Sequence, residues 1–84
     1  LSVTAASERL DCVISAICGI SRAKSEELIS AGLVTLNSEA SLKQTRAVTA
    51  GDVISVRTKG RFTVVSLDGR TKKNRIIIKY KRYV

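Results

Sequence analysis

The sequence predicts an α+β domain of two short N-terminal helices followed by four or five mostly antiparallel strands. Three observations carry that prediction. Two segments with helical spacing come first, the hydrophobic period changes from 3.6 to 2 after Gly32, and β-rich runs separated by polar turns fill the remainder. The 84 residues contain no Pro, no repeat and no low-complexity linker, so a single domain is expected over 1–84. The chain starts at Leu1 and holds no Met, which predicts a domain cut from a longer polypeptide.

Ser7 is placed to cap a first helix running to about Cys18. Within it Leu10, Val13, Ile14 and Ile17 recur at i, i+3, i+4 and i+7, one apolar stripe. Gly19 offers the left-handed conformation that stops a helix at no steric cost. Ser21 caps a second helix, with Ala23, Leu28, Ile29 and Ala31 expected to face inward and Gly32 ending it. Only Ile20 separates the stop from the next cap, so the two helices should cross at a steep angle. "LVTLN" then alternates as a strand, and Asn37-Ser38 begins a polar turn. "SLKQTRAV", Ser41 to Val48, fits no single period, with Leu42 and Val48 as its expected buried points. Ala50-Gly51-Asp52 is a turn before the strand "VISVRT", which carries Ile54 and Val56 on one face. Phe62 to Leu67 and Arg75 to Tyr80 are two more β-rich runs, joined by the loop "DGRTKKN".

Several kinds of chemistry are excluded by what is missing. With no His, the commonest general base and metal ligand is gone. No nucleophile elbow and no glycine-rich phosphate loop occurs, and the acidic residues show no metal-ligand spacing. Asp11 fits a first helical turn through the helix dipole, and Asp52 fits its turn. No enzyme activity, cofactor, metal or small-molecule substrate is therefore expected. No apolar run approaches the ~20 residues of a membrane helix, so no membrane partner is expected either. Cys12 and Cys18 lie six positions apart on one helix, a rise of ~9 Å, beyond the ~7 Å reach of a disulfide. Two core thiols in a reducing intracellular compartment is the natural reading.

Charge points to a partner. The net charge is +8 and uneven: residues 1–56 hold five Lys/Arg against six Asp/Glu, while 57–84 hold ten against Asp68 alone. Such asymmetry implies a polyanion, most often nucleic acid. A helix start is already electropositive, yet Arg22 and Lys24 follow the Ser21 cap directly, and Arg9 repeats the pattern at the first helix. In the free protein this costs a few tenths of a kcal/mol, roughly. With a phosphate bound, helix amides, hydroxyl, guanidinium and ammonium all act together. The site needs Arg22 and Lys24 on the side of Arg9 and clear of neighbouring carboxylates. Aromatic residues set the mode of binding. Phe62 and Tyr80 belong to the core, leaving too few rings for base stacking as the main device. Phosphates and the shape of folded RNA are the expected target.

These residues resemble a known family. "RLD" (Arg9 to Asp11), "SRAK" (Ser21 to Lys24), "ISAGLVTLN" (Ile29 to Asn37) and "GDVISVR" (Gly51 to Arg57) are similar to the RNA-binding domain named for ribosomal small-subunit protein four, the S-four domain. The resemblance covers about Ser7 to Arg57. It implies the αL RNA-binding motif, two helices on a small curved sheet, with RNA contacts at Arg9, Ser21, Arg22 and Lys24. Asn37 and Arg57 would shape or flank the groove. The tail "GRFTVVSLDGRTKKNRIIIKY" is similar to the C-terminal hairpin of YlmH-like proteins, ribosome-associated members found in bacteria and plastids. That implies a 7–57 core with a basic 58–84 hairpin extension, in a cytoplasmic or stromal protein whose partners are ribosomal or transfer RNA and the ribosome. Ser30, Ser38, Glu39 and Ala40 stand where the family often has basic residues or Gly. The loop residues Arg70, Lys72 and Lys73 are the expected compensation. Two alternatives remain open: a substrate-docking appendage of an RNA-modifying enzyme or tRNA synthetase, and a non-specific basic module that binds DNA or protein.

Overall fold

A computed structural model describes residues 1–40, 43–57 and 59–83. The chain runs β1 (Ser2–Ala5), α1 (Leu10–Cys18), α2 (Arg22–Ser30), β2 (Val34–Leu36), β3 (Glu39–Ala40), β4 (Val53–Val56), β5 (Gly60–Ser66) and β6 (Ile76–Tyr83). The strands form one open antiparallel sheet in the order β1-β6-β5-β4-β2-β3. The α+β class is as expected, with one strand more than the sequence suggested. β1 is that strand. Its "SVTA" offers only Val3 and Ala5 to the core, and it gains its conformation from β6, where Val3 pairs with Ile78 and Ala5 with Ile76.

Both helices cover one face of the sheet. Leu10, Val13 and Ile14 of α1 and Leu28 and Ile29 of α2 join Val34, Leu36, Ile54, Val56, Phe62, Val64, Ile76 and Ile78 in a single core, with Ile17 packed at its margin. Burying a side chain of this size is worth about 1.5–3 kcal/mol, so the core sets the architecture. Phe62 and Tyr80 meet edge to face with centroids 6.1 Å apart. Strand alternation turns the remaining β residues to the opposite, helix-free face.

The helix ends differ from expectation in instructive ways. Ser7 does not cap α1; its hydroxyl accepts the Arg9 amide at 3.2 Å, and Arg9 itself is the N-cap, with no capping bond from its side chain. The free amides of α1 are instead met by backbone carbonyls of the ambiguous segment. Leu10 donates to Arg46 at 2.8 Å and Asp11 to Gln44 at 3.2 Å, while the Val48 amide returns to Glu8 at 2.9 Å. That segment thus has a purpose no periodicity reveals: it closes the start of α1. Val48 is buried as expected, and Leu42 lies outside the described residues. Ser21 does cap α2, accepting the Lys24 amide at 3.0 Å. Gly19 ends α1 at φ 66°, as read from the sequence. Ala23 and Ala31 face solvent rather than the core, and Ser25 occupies the inward position, its hydroxyl donating to the Ser21 carbonyl at 3.2 Å. Ser can be buried there because that bond satisfies its hydroxyl.

Asn37 and Ser38 join β2 to β3 with φ of 53° and 71°. Positive φ at both central residues marks the hairpin turn whose twist matches the strands. β5 and β6 form the expected hairpin and share the sheet with β4 and β1. A bulge between Val64 and Ser66 leaves Val65 exposed.

Candidate nucleic-acid interface

The end of the helix pair is organised by a carboxylate that the sequence undervalued. Asp11 stands in the first turn of α1, as the sequence suggested, but it is fully buried. One oxygen accepts the Cys12 amide at 2.8 Å. Arg9 grips both oxygens, Nε to Oδ1 at 3.2 Å and Nη2 to Oδ2 at 2.8 Å. Arg22 comes from the start of α2 to within 3.7 Å of the same Oδ2. The extended N-cap conformation of Arg9 lets its side chain fold back over the first turn. Two guanidiniums from two helices therefore converge on one charge.

Of the two conditions that the phosphate site imposes, the first is met for Arg22 and the second is not met. Arg22 does lie beside Arg9. However, Arg22 touches Asp11, and Lys24 stands 3.7 Å from Glu27 on an exposed stretch of α2. The magnitudes decide how much this matters. Both 3.7 Å contacts are beyond hydrogen-bond length, with the Arg22 and Lys24 side chains 52% and 56% exposed. The Lys24–Glu27 pair, exposed on both sides, is worth about 0–1 kcal/mol, and Arg22 makes no hydrogen bond to the buried Asp11, so a phosphate can compete for both cations. Arg9 is the one truly committed.

A further cation joins from the C-terminal half. Arg75 borders a recess of about 150 Å³ that is also lined by Arg22, Cys12 and Ser15. Its guanidinium donates to the Thr4 hydroxyl at 3.3 Å and the Thr4 carbonyl at 3.4 Å, which holds it across β1. Its position could have been inferred only from knowing that β1 pairs with β6.

The other predicted residues are dispersed. Asn37 is a structural tie: its side chain donates to Asp52 at 3.0 Å and accepts the Val53 amide at 2.9 Å, so its polar atoms are engaged inside the turn. Arg57 lines a groove on the helix-free face together with Arg61 and Tyr83, away from Arg9 and Arg22. Arg70 lines a separate recess with Glu8 and Asp68. Lys72 and Lys73 are exposed on a loop held by its own bonds, Thr71 amide to Arg75 carbonyl and Asn74 amide to Thr71 carbonyl, both 2.9 Å. The structure therefore brings Arg9 and Arg22 together, with Ser21 and Lys24 on the first turn of the helix that carries Arg22, while Arg70 lines a different recess.

Two titrating groups are perturbed. Partial burial pushes the Asp52 carboxyl up, but bonds from the Thr49 amide, Asn37 and the Thr49 hydroxyl, with the charge of Arg46, bring it below the ordinary value. Burial raises the Cys18 thiol against the pull of Lys59 and Arg82, so little thiolate exists at neutral pH. Cys12 and Cys18 are both free thiols.

No protein-family model matches the chain. A curated protein, the ribosome-associated protein quality control protein P2 of Bacillus subtilis, is 34% identical to it over 79 residues. The likeness is to a ribosome-associated protein. It takes in 94% of this chain and 31% of that relative, so the chain spans about a third of the relative's length. Among the described residues no helix is long and apolar enough to cross a membrane.

Proposed function

We propose that this domain is a non-catalytic module that binds folded RNA through the end of its helix pair and acts on the ribosome. The observation that carries the reading is the convergence of Arg9 and Arg22 on Asp11, beside the Ser21-capped start of α2 with Lys24 on its first turn. Asp11 costs the cluster one charge, yet it fixes Arg9 by a two-point grip and draws Arg22 to within 3.7 Å of the same carboxylate. Prior ordering of this kind lowers the entropy lost when phosphates bind. The resemblance of 7–57 to the S-four RNA-binding domain supports the same surface. The name of the Bacillus subtilis relative supports association with the ribosome, and from the resemblance we infer ribosomal or transfer RNA as the partner. Arg70, Lys72 and Lys73 supply a second, looser set of phosphate contacts from the hairpin loop.

The test is binding of a hairpin RNA across a salt series. For about five neutralised phosphates, log affinity should fall against log salt with a slope on the order of −4. Arg22→Ala combined with Lys24→Ala should bring that slope to about −2. Thermal stability should stay nearly constant, because both side chains are exposed. An unchanged affinity and slope in the double variant would exclude the helix end as the RNA site.

A further inference from the structure

We propose that the helix-free face of the sheet is a second RNA surface, one that takes a single-stranded segment by stacking an unpaired base on Tyr83 between Arg61 and Lys81. This extends the reading above, since it presumes that RNA is the partner of the helix end.

The sheet register assembles the surface. On the face away from the core, Ser55 of β4 pairs with Arg61 of β5, which pairs with Tyr83 of β6. In the next row Thr63 pairs with Lys81, and Lys79 follows against Ser2 of β1. Neighbouring strands lie about 4.8 Å apart, so these side chains form one continuous field. A groove of about 630 Å³ runs beside it, bordered by Arg57, Arg61 and Tyr83. A second of about 400 Å³ lies on the other side of Arg61 and Tyr83, reaching Asn37 and Ser38.

Two features set this face apart from an ordinary solvated surface. First, Arg57, Arg61, Lys79 and Lys81 are exposed, and among the described residues none of them pairs with a carboxylate. Four like charges on one small face repel each other in the free protein, and a polyanion removes that repulsion. Second, Tyr83 is 52% exposed, although aromatic rings usually seek the core. Its hydroxyl is tied to the Thr63 hydroxyl at 2.7 Å, two residues along the neighbouring strand, so the ring lies along the sheet and keeps one side open. Arg61 is likewise steadied by a 3.2 Å bond from Nε to the Ser55 hydroxyl. An open ring flanked by cations in a shallow groove is the arrangement that single-stranded nucleic acid requires: charge for the backbone and a platform for the base. A duplex does not offer its base faces to such a ring, and an acidic peptide has no use for it.

Two probes separate this surface from the helix end: an unstructured oligouridine of about 12 nucleotides and a stable RNA hairpin, each measured by anisotropy with the 84-residue chain. Tyr83→Ala should weaken oligouridine binding roughly tenfold and leave the hairpin within about twofold. Tyr83→Phe should retain most of the affinity, because stacking needs the ring and not the hydroxyl. Arg61→Ala with Lys81→Ala should weaken oligouridine and flatten its salt dependence. Oligouridine affinity unchanged by Tyr83→Ala overturns the proposal. So does displacement by polyglutamate with equal ease from wild type and Tyr83→Ala, which reduces the face to charge alone. If instead Tyr83→Ala weakens oligouridine while the Arg22/Lys24 double variant leaves hairpin binding intact, the helix-end reading fails and the sheet surface stands.

Discussion

The two basic regions of this small domain are built on opposite plans. At the helix end, every cation but Arg75 sits near a carboxylate: Arg9 and Arg22 share Asp11, and Lys24 stands by Glu27. On the helix-free face, Arg57, Arg61, Lys79 and Lys81 pair with none among the described residues. The first region gains order and gives up charge. The second keeps its charge and takes its order from the sheet register and from neutral hydroxyls such as Ser55 and Thr63. A buried carboxylate can hold long basic side chains in place where a loop-to-helix junction cannot. A flat sheet needs no such device, because pairing of strands already spaces the side chains.

The strongest test of that contrast is removal of Asp11. Asp11→Ala leaves the Arg9 guanidinium, the Cys12 amide and Arg22 without their shared acceptor at a fully buried position. Loss of a partly buried, bidentate pair should cost about 2–3 kcal/mol. In a domain of this size that is a fall in melting temperature on the order of 10–20 °C. Calorimetry checks it. A shift of only a degree or two would mean that Asp11 organises nothing. Binding sharpens the comparison: hairpin RNA affinity should fall in this variant although a negative charge has been removed, while oligouridine affinity stays constant. A rise in hairpin affinity would show that Asp11 acts only as a counter-charge.

A smaller effect separates the two helix starts. Ser21→Ala removes the hydroxyl that accepts the Lys24 amide and should cost about 1 kcal/mol. Ser7→Ala should cost no more than a few tenths, roughly, because carbonyls of Gln44 and Arg46 already meet the first amides of α1. Denaturant melts of the pair resolve the difference. Equal losses would return Ser7 to the capping role its position suggests.

The two serines also show which parts of the fold were legible. The apolar spacing of α1, the Gly19 stop, the Ser21 cap and the buried faces of β2 and β4 are local patterns and were readable, whereas α2 hides Ser25 where Ala23 was expected. The closing of α1 by residues 43–48 was not readable, because a backbone carbonyl carries no residue signature and its partner lies some 35 positions away. β1 escaped notice for a related cause. Its four residues become a strand only through β6, more than seventy positions later. At the helix end, cations at both helix starts pointed to Arg9 and Arg22, which the structure brings to one carboxylate. The burial of Asp11 was not legible, since an acidic residue in a first turn is equally well placed in water. Arg57 and Asn37 were legible as polar residues at the ends of strands, but which face each serves depends on register and turn geometry that only the assembled sheet defines.

The smallest effect lies at the turn that ties β2 to β4 and tests whether the two regions are independent. Asp52 accepts bonds from Thr49 and Asn37, and its carboxyl is held below the ordinary range. A group depressed in the folded state binds its proton more readily when unfolded, so it contributes stability above the unfolded value, about 3.9. That contribution is lost as pH falls through the lower folded value. Stability should therefore decline as pH drops below about 4, by a modest amount because Asp52 is largely solvated. Asn37→Ala removes one of the bonds that depress it, so the acid-dependent part should shrink in that variant, and Asp52→Asn should remove its share altogether. Followed by amide exchange, the loss should begin at the Asn37–Asp52 turn and at β2 and β4, leaving the amides around Asp11 protected. If the helix end opened at the same pH in wild type and Asp52→Asn alike, the acid response would not start at Asp52, and that turn would be a bystander to it.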